Sequence, residues 1–221
     1  MTQMTSVFTL TGANLLGGGI MHEKDTLEIS ANDLPTYCAD AGYFHAIKHD
    51  LKIDGLIGDL DSVGALGEQN FPVFQVIDQN NTDLEKSLDA IKAPYILCYG
   101  FLGGRLDHSM AAFNAIAKSS QSAFLMDAED ACAICPAHLD ITLPIGTRFS
   151  IFPLTNVAAR SKGLKWNVDD LPLSPVGIVS TSNETADNRV QCWIDQGVAV
   201  VIFPREHIND VLAQWPNTRV D

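Results

Sequence analysis

The sequence predicts an α/β N-terminal domain, residues 1–136, with a mostly parallel sheet and flanking helices, and an all-β C-terminal domain, residues 137–221, a small sandwich or barrel half. Three observations predict it. Short apolar runs alternate with segments of helical periodicity up to about residue 130, helical periodicity disappears after about Pro136, and acidic clusters sit just past the apolar runs. Continuous apolar strands separated by helices are the mark of a parallel sheet covered on both faces.

The elements follow in order. Val7–Leu10, with Leu15–Leu16 close behind, Leu56–Leu60, Val73–Ile77, Tyr95–Phe101 and Ala123–Met126 read as strands. Asp83–Lys92 and Asp107–Lys118 read as helices, and Leu84, Leu88 and Ile91 fall at i, i+4 and i+7 on one face. Beyond Pro136 come the strand-like runs Arg148–Pro153, Gly177–Thr181, Val190–Ile194 and Gly197–Phe203, separated by clusters such as Asp169-Asp170-Leu171-Pro172.

Composition narrows the class of function. The 221 residues exceed the roughly 150 of an average domain, and 46% are hydrophobic, enough for a sizeable core. Fourteen basic residues against 27 acidic ones give a net charge of −13, which argues against nucleic acid and anionic membrane as partners. No apolar run approaches the roughly 18 residues of a membrane span. The start MTQMTSVFTL lacks the basic region of a signal peptide. Five cysteines, an odd number in a chain that needs no staples, read as reduced thiols in a cytoplasmic protein. Cys132-x-x-Cys135 has no partner pair and reads as part of a buried strand, with no metal or redox role.

The acids carry the chemistry. Gly58-Asp59-Leu60-Asp61-Ser62, Asp78-Gln79-Asn80-Asn81-Thr82-Asp83 and Gly103-Gly104-Arg105-Leu106-Asp107-His108 each follow an apolar run, and Asp40 precedes an expected helix. In an open α/β sheet, ligands bind beyond the carboxyl ends of the strands near a switch in strand order, so segments distant in sequence meet in one crevice. Asp59 and Asp61, two apart at the end of an extended strand, point the same way, and a hard divalent ion, Mg²⁺, relieves their repulsion. A solvated turn accounts for that pair equally well. Thr82 and Glu85 fit a capping box, and Asp83 and Lys86 share a helix face. Gly103-Gly104 permits a tight turn, and Arg105 offers a planar fork suited to phosphate. A divalent ion with one Arg and one Lys among carboxylates is equipment for a polyphosphate.

These motifs resemble those of the thiamine pyrophosphokinase (thiamine diphosphokinase) family. The series is Ala39-Asp40-x-Gly42, Gly58-Asp59-x-Asp61-Ser62, Asp78-Gln79-x-x-Thr82-Asp83-x-x-Lys86 and Gly103-Gly104-Arg105-x-Asp107-His108, then Gly163-Leu164-Lys165-Trp166-Asn167 and Val179-Ser180-Thr181-Ser182-Asn183. The resemblance implies transfer of a diphosphoryl group from ATP to the hydroxyl of thiamine, giving thiamine diphosphate and AMP. It also implies an α/β N-terminal domain for ATP, a C-terminal β-sandwich, and a homodimer with thiamine at the interface, between the N-terminal domain of one subunit and the β domain of the other.

Carried over by position, Asp59, Asp61 and Asp83 hold Mg²⁺ and, with Arg105, form the catalytic set. Asp40, Gly42, Asp78, Gln79, Thr82, Lys86, Arg105 and Asp107 line the nucleotide path. Trp166 stacks on a thiamine ring, and Ser180 and Asn183 bond its polar edge. Either Asp61 or Asp83 accepts the hydroxyl proton. Family members usually carry two glycines after the first Asp, and here the first is Ala41. Other readings of the same carboxylates are a Mg²⁺-dependent phosphohydrolase and a non-catalytic nucleotide- or thiamine-binding protein. For Trp166, a core position in the β domain is the simpler structural alternative.

Overall fold

Why the acids converge is visible in the order of the strands. A computed structural model describes residues 6–61, 63, 70–76 and 80–216 of the chain. The chain divides between Ala128 and Glu129 into two units. In the first, β1 (Val7–Phe8) is followed by β2 (Ala13–Leu16), α1 (Glu23–Ala31), β3 (Thr36–Ala39), α2 (Gly42–Lys48), β4 (Gly55–Gly58) and β5 (Val73–Gln75). Then come α3 (Asp83–Ala90), β6 (Ile91–Lys92), β7 (Ile96–Tyr99), α4 (Leu106–Lys118) and β8 (Ala123–Met126).

The strands of this unit's main sheet run β8-β7-β2-β3-β4-β5, all parallel. From β2 the chain builds outward through β3, β4 and β5, then returns to lay β7 on β2's other side. The switch in strand order therefore falls between β2 and β7. Strands β2, β3, β4, β7 and β8 are buried at every position, as an apolar strand covered on both faces must be.

Several expectations shift in detail. Val7–Leu10 is strand only at Val7–Phe8, pairs with β6 away from the main sheet, and leaves Leu10 fully exposed. The predicted helix Asp83–Lys92 ends at Ala90, because Ile91–Lys92 extends to pair with β1. Its apolar face is nonetheless buried at Leu84, Leu88 and Ile91. Helix α1 carries only Asp25 and Ile29 inward, too weak a stripe to read as periodicity.

The second unit holds β9 (Asp130–Ile134), β10 (His138–Thr142), β11 (Ser150–Pro153), β12 (Ala158–Lys162), β13 (Arg189–Gln196) and β14 (Ala199–Pro204). Strands β11-β14-β9 pair antiparallel, as do β10-β13-β12. In the second set Leu139, Ile141, Ala159, Ser161, Val190 and Cys192 point inward with period two. Residues 130–134, on the N-terminal side of the boundary expected at 136, pair with β14 in this unit. Gly177–Thr181 forms isolated bridges, Ser180 with Ile151 and Ile178 with Leu173, and no strand. A 3₁₀ turn at Arg205–His207 and the five-residue α5 (Ile208–Leu212) close the unit; both are too short to show periodicity in sequence.

Candidate active site

In the first unit a cleft of about 720 Å³ opens at the carboxyl ends of β2, β3 and β7, over the switch in strand order. Gly17, Gly18 and Gly19 form one wall. The N–H of Gly17 donates to the Tyr99 carbonyl and that of Gly19 to the Gly100 carbonyl, both at 2.8 Å, which closes the loops after β2 and β7 against each other. A Cβ at Gly19 would lie 2.6 Å from the Gly100 oxygen, and one at Gly100, whose φ is +72°, 2.6 Å from the Gly17 oxygen. Only glycine allows backbones so close. His45 on α2 reaches over, its Nε2 2.7 Å from the Gly19 carbonyl oxygen. Nothing in the acid pattern pointed to these glycines. The signal available was three glycines directly after Leu15–Leu16.

The acids gather beside the cleft. Among the described residues, Asp40, Asp59 and Asp61 bring one carboxylate oxygen each within 4.8 Å of the others. Asp40, at the end of β3, is buried and lines the cleft. Asp59 and Asp61 do not sit on an extended strand as expected. Strand β4 stops at Gly58, Leu60 takes a left-handed φ of 68°, and the Asp61 N–H donates to Asp59 Oδ1 at 3.4 Å. A turn, not strand alternation, brings them together, at the cost of about 1 kcal/mol for a non-glycine residue with positive φ. Gly58 lets this turn approach β3, since a Cβ there would lie 3.1 Å from the Asp40 Cβ.

Asp83, grouped with Asp59 and Asp61 by the family resemblance, stands outside this trio. It lines the cleft at the start of α3, and its Oδ1 accepts from Lys86 Nζ at 3.1 Å. The same ammonium donates to Asp59 Oδ2 at 3.0 Å. That hydrogen bond is the main reason the Asp59 carboxyl is held below the usual carboxylate range. Burial alone would drive the Lys86 ammonium toward neutrality, but bonds to Asp59 and Asp83 raise its pKa instead. Thr82 caps α3: its Oγ1 accepts from the Glu85 N–H, and the Glu85 carboxylate accepts from the Thr82 N–H at 2.8 Å. Thr82 also borders the cleft.

Arg105, just before α4, lines the cleft and grips Asp107 through two bonds, Nε to Oδ1 at 3.1 Å and Nη2 to Oδ2 at 2.7 Å. Both side chains are exposed. Gly42, expected on the nucleotide path, is buried against β2, and a Cβ there would lie 1.9 Å from the Leu16 carbonyl oxygen. Its backbone packs on protein. The methyl of Ala41 faces Gly18, where a second Cβ would lie only 2.7 Å away. Asp78, Gln79 and Ser62 lie outside the described residues.

In the second unit Trp166, Ser180 and Asn183 line one hollow of about 210 Å³ with Val168, Leu171, Val179 and Thr181. Trp166 is 57% exposed, so it is no core residue. Lys165 Nζ sits 4.7 Å from its ring centroid and pairs with Glu184 at 2.6 Å. Cys132 and Cys135 are buried, and burial pushes the Cys135 thiol well above its ordinary range, with Cys192 adding to the effect.

Two family models match this chain. Residues 28–126 match the model for "Thiamin pyrophosphokinase, catalytic domain", and residues 137–199 match "Thiamin pyrophosphokinase, vitamin B1 binding domain". The chain belongs to the thiamin pyrophosphokinase family.

The cleft and its acids fall largely within the family's catalytic domain, and the Trp166 hollow falls within its vitamin B1 binding domain. Gly17–Gly19 precede the matched stretch. A thiamine pyrophosphokinase of Oryza sativa subsp. japonica is 28% identical over 179 residues, 70% of this chain and 67% of that protein. A thiamin pyrophosphokinase of Caenorhabditis elegans is 28% identical over 154 residues, 61% of this chain and 63% of that one. The chain thus spans about two thirds of the length of these curated relatives. The crystal structure of the Bacillus subtilis thiamine pyrophosphokinase superposes with a TM-score of 0.71 at 19% identity, covering 88% of this chain and 99% of that one. That likeness is one of fold.

Proposed function

We propose that this protein is a thiamine diphosphokinase that transfers a diphosphoryl group from ATP to the hydroxyl of thiamine and releases AMP. The observation that carries this reading is the convergence of Asp40, Asp59 and Asp61 beside a glycine-walled cleft at the switch in strand order. Three carboxylates with oxygens this close, and no sulfur or imidazole donor among them, suit a hard divalent cation such as Mg²⁺. Asp40, Asp59 and Asp61 would hold it, with Asp83 at the cleft wall nearby. Bound there, the ion supplies positive charge to the phosphate oxygens.

The remaining work belongs to the chain. The backbone of Gly17–Gly19 gives the nucleotide a wall without side chains, and Thr82 and Asp83 flank its phosphates, with Asp78 and Gln79 assigned to the same path. Arg105 offers its fork to the phosphates, oriented by Asp107. The thiamine hydroxyl oxygen attacks the β-phosphorus, the bond from that phosphorus to the α–β bridging oxygen breaks, and AMP leaves. The hydroxyl proton passes to Asp61 or Asp83. Positioning and charge neutralisation supply most of the rate in such a transfer.

Thiamine is a cation with two aromatic rings. Trp166 suits it because its exposed indole offers a ring face for stacking and cation–π attraction. Ser180 contributes a hydroxyl to the same hollow. Exposed Val176, Ile178 and Leu171 nearby favour a homodimer, in which the Trp166 hollow of one subunit serves the cleft of the other. Five free, buried cysteines suit a cytoplasmic setting. Among the described residues no helix is long and apolar enough to cross a membrane.

The test is incubation with ATP, Mg²⁺ and thiamine. Equal amounts of AMP and thiamine diphosphate are expected. Phosphate release that ignores thiamine, or tight binding without turnover, would overturn the assignment.

A further inference from the structure

We infer that Lys86 is a positioning residue, a buried counter-ion that sets Asp59 in place, and not a ligand of the nucleotide phosphates. The inference rests on the diphosphokinase reading for its functional meaning but on geometry for its substance. A lysine beside a phosphate site is ordinarily read as a phosphate ligand. Three observations oppose that here.

First, the side chain is only 3% exposed, whereas a phosphate-binding ammonium must reach the ligand. Second, Thr82, Asp83 and Leu84 line the cleft and Lys86 does not, although all sit in the first turns of α3. Third, the ammonium is already committed to Asp59 Oδ2 at 3.0 Å and Asp83 Oδ1 at 3.1 Å. Burying a lone ammonium is strongly unfavourable, so its place in the fold depends on both carboxylates.

The consequence runs the other way as well. Asp59 follows the end of β4 and precedes the left-handed Leu60, so it sits on a turn outside the sheet. Asp40 and Asp61 add like charge within 4.8 Å. Lys86 ties this turn to α3, fixes the rotation of the Asp59 carboxylate and offsets one of three converging negative charges before any cation binds. It also joins Asp59 of the acidic trio to Asp83 on the cleft wall, so the two acids keep one spacing.

Lys86→Met tests this, with melting followed in the absence of metal and nucleotide. Breaking one side of a buried pair should lower Tm by roughly 10 °C in a chain of this size. Saturating Mn²⁺ should raise Tm more in the variant than in the parent, because the cation takes over the missing counter-charge. In turnover, kcat should fall by more than tenfold while KM for ATP moves less than threefold.

If Lys86→Met instead melts with the parent, gains no extra stability from Mn²⁺ and raises KM for ATP at unchanged kcat, Lys86 is a phosphate ligand and the inference fails. Should the variant not fold, Asp59→Asn combined with Lys86→Met decides. Recovery of a cooperative melt supports the counter-ion role, and no recovery overturns it. A parent protein that turns over no thiamine would defeat the functional reading alone, since the metal-free melts still compare the two chains.

Discussion

Asn183 holds both ends of the Trp166 peptide unit: its Oδ1 accepts the Trp166 N–H at 3.2 Å and its Nδ2 donates to the Trp166 carbonyl at 2.7 Å. The remaining capacity of the amide goes to the Glu184 N–H and to Ser180 Oγ. Only 2% exposed and with its amide fully engaged, Asn183 has little left for a ligand. Its place in the Trp166 hollow is that of the residue that aims the indole. Asn183→Ala should therefore lower stability by about 2 kcal/mol and raise KM for thiamine. Trp166→Ala should raise KM for thiamine at least tenfold and leave stability within about 0.5 kcal/mol, because the ring is exposed. Melting curves beside thiamine titrations check the pair, and a Trp166→Ala chain that fails to fold would show the ring to be core after all.

Arg105→Lys separates charge from geometry. The guanidinium meets Asp107 through two parallel bonds, which an ammonium cannot reproduce. Both groups are exposed, so Tm should not move, while kcat/KM for ATP falls at least tenfold. Equal activity with lysine would reduce Arg105 to a point charge.

Asp61→Asn should nearly abolish turnover and leave the melt unchanged, since Asp61 lies exposed on its turn. A thiamine-dependent AMP assay reads the first and differential scanning calorimetry the second. Near-normal turnover would remove Asp61 from the site.

Gly42→Ala should act on the fold and not only on the nucleotide. A methyl group 1.9 Å from the Leu16 carbonyl forces α2 away from β2. A loss of about 2 kcal/mol or more is expected. If the variant melts with the parent and only KM for ATP rises, the backbone of Gly42 faces ligand instead.

Acid stability should depend on Glu85. Burial raises its pKa, but the Lys118 ammonium at 2.8 Å and the Thr82 N–H and hydroxyl outweigh it, and the net pKa lies below its ordinary 4.5. A carboxyl depressed on folding binds fewer protons folded than unfolded. Its contribution is present above pH 4.5 and drains away as the pH falls toward the lower folded value. Glu85→Gln should cost about 1 kcal/mol at pH 7 and flatten the fall of Tm below pH 4.5.

The sequence by itself determined the alternation of strand and helix, the apolar face of Leu84, Leu88 and Ile91, the cap at Thr82 and the order of the acidic motifs. These are local properties: periodicity and capping depend on neighbours within a turn or two. Which acids actually meet was decided by tertiary structure. Asp40 joins Asp59 and Asp61 because β3 and β4 are adjacent and Gly58 permits their ends to touch, while Asp83 is drawn to Lys86 on its own helix. The Gly17–Gly19 wall depends on β7 returning beside β2, a pairing that spans some eighty residues of chain. Likewise the exposure of Trp166 and the engagement of Asn183 follow from a crossing of loops no local pattern encodes. Local free energies choose elements; only the packing of distant ones chooses which charges must share a space.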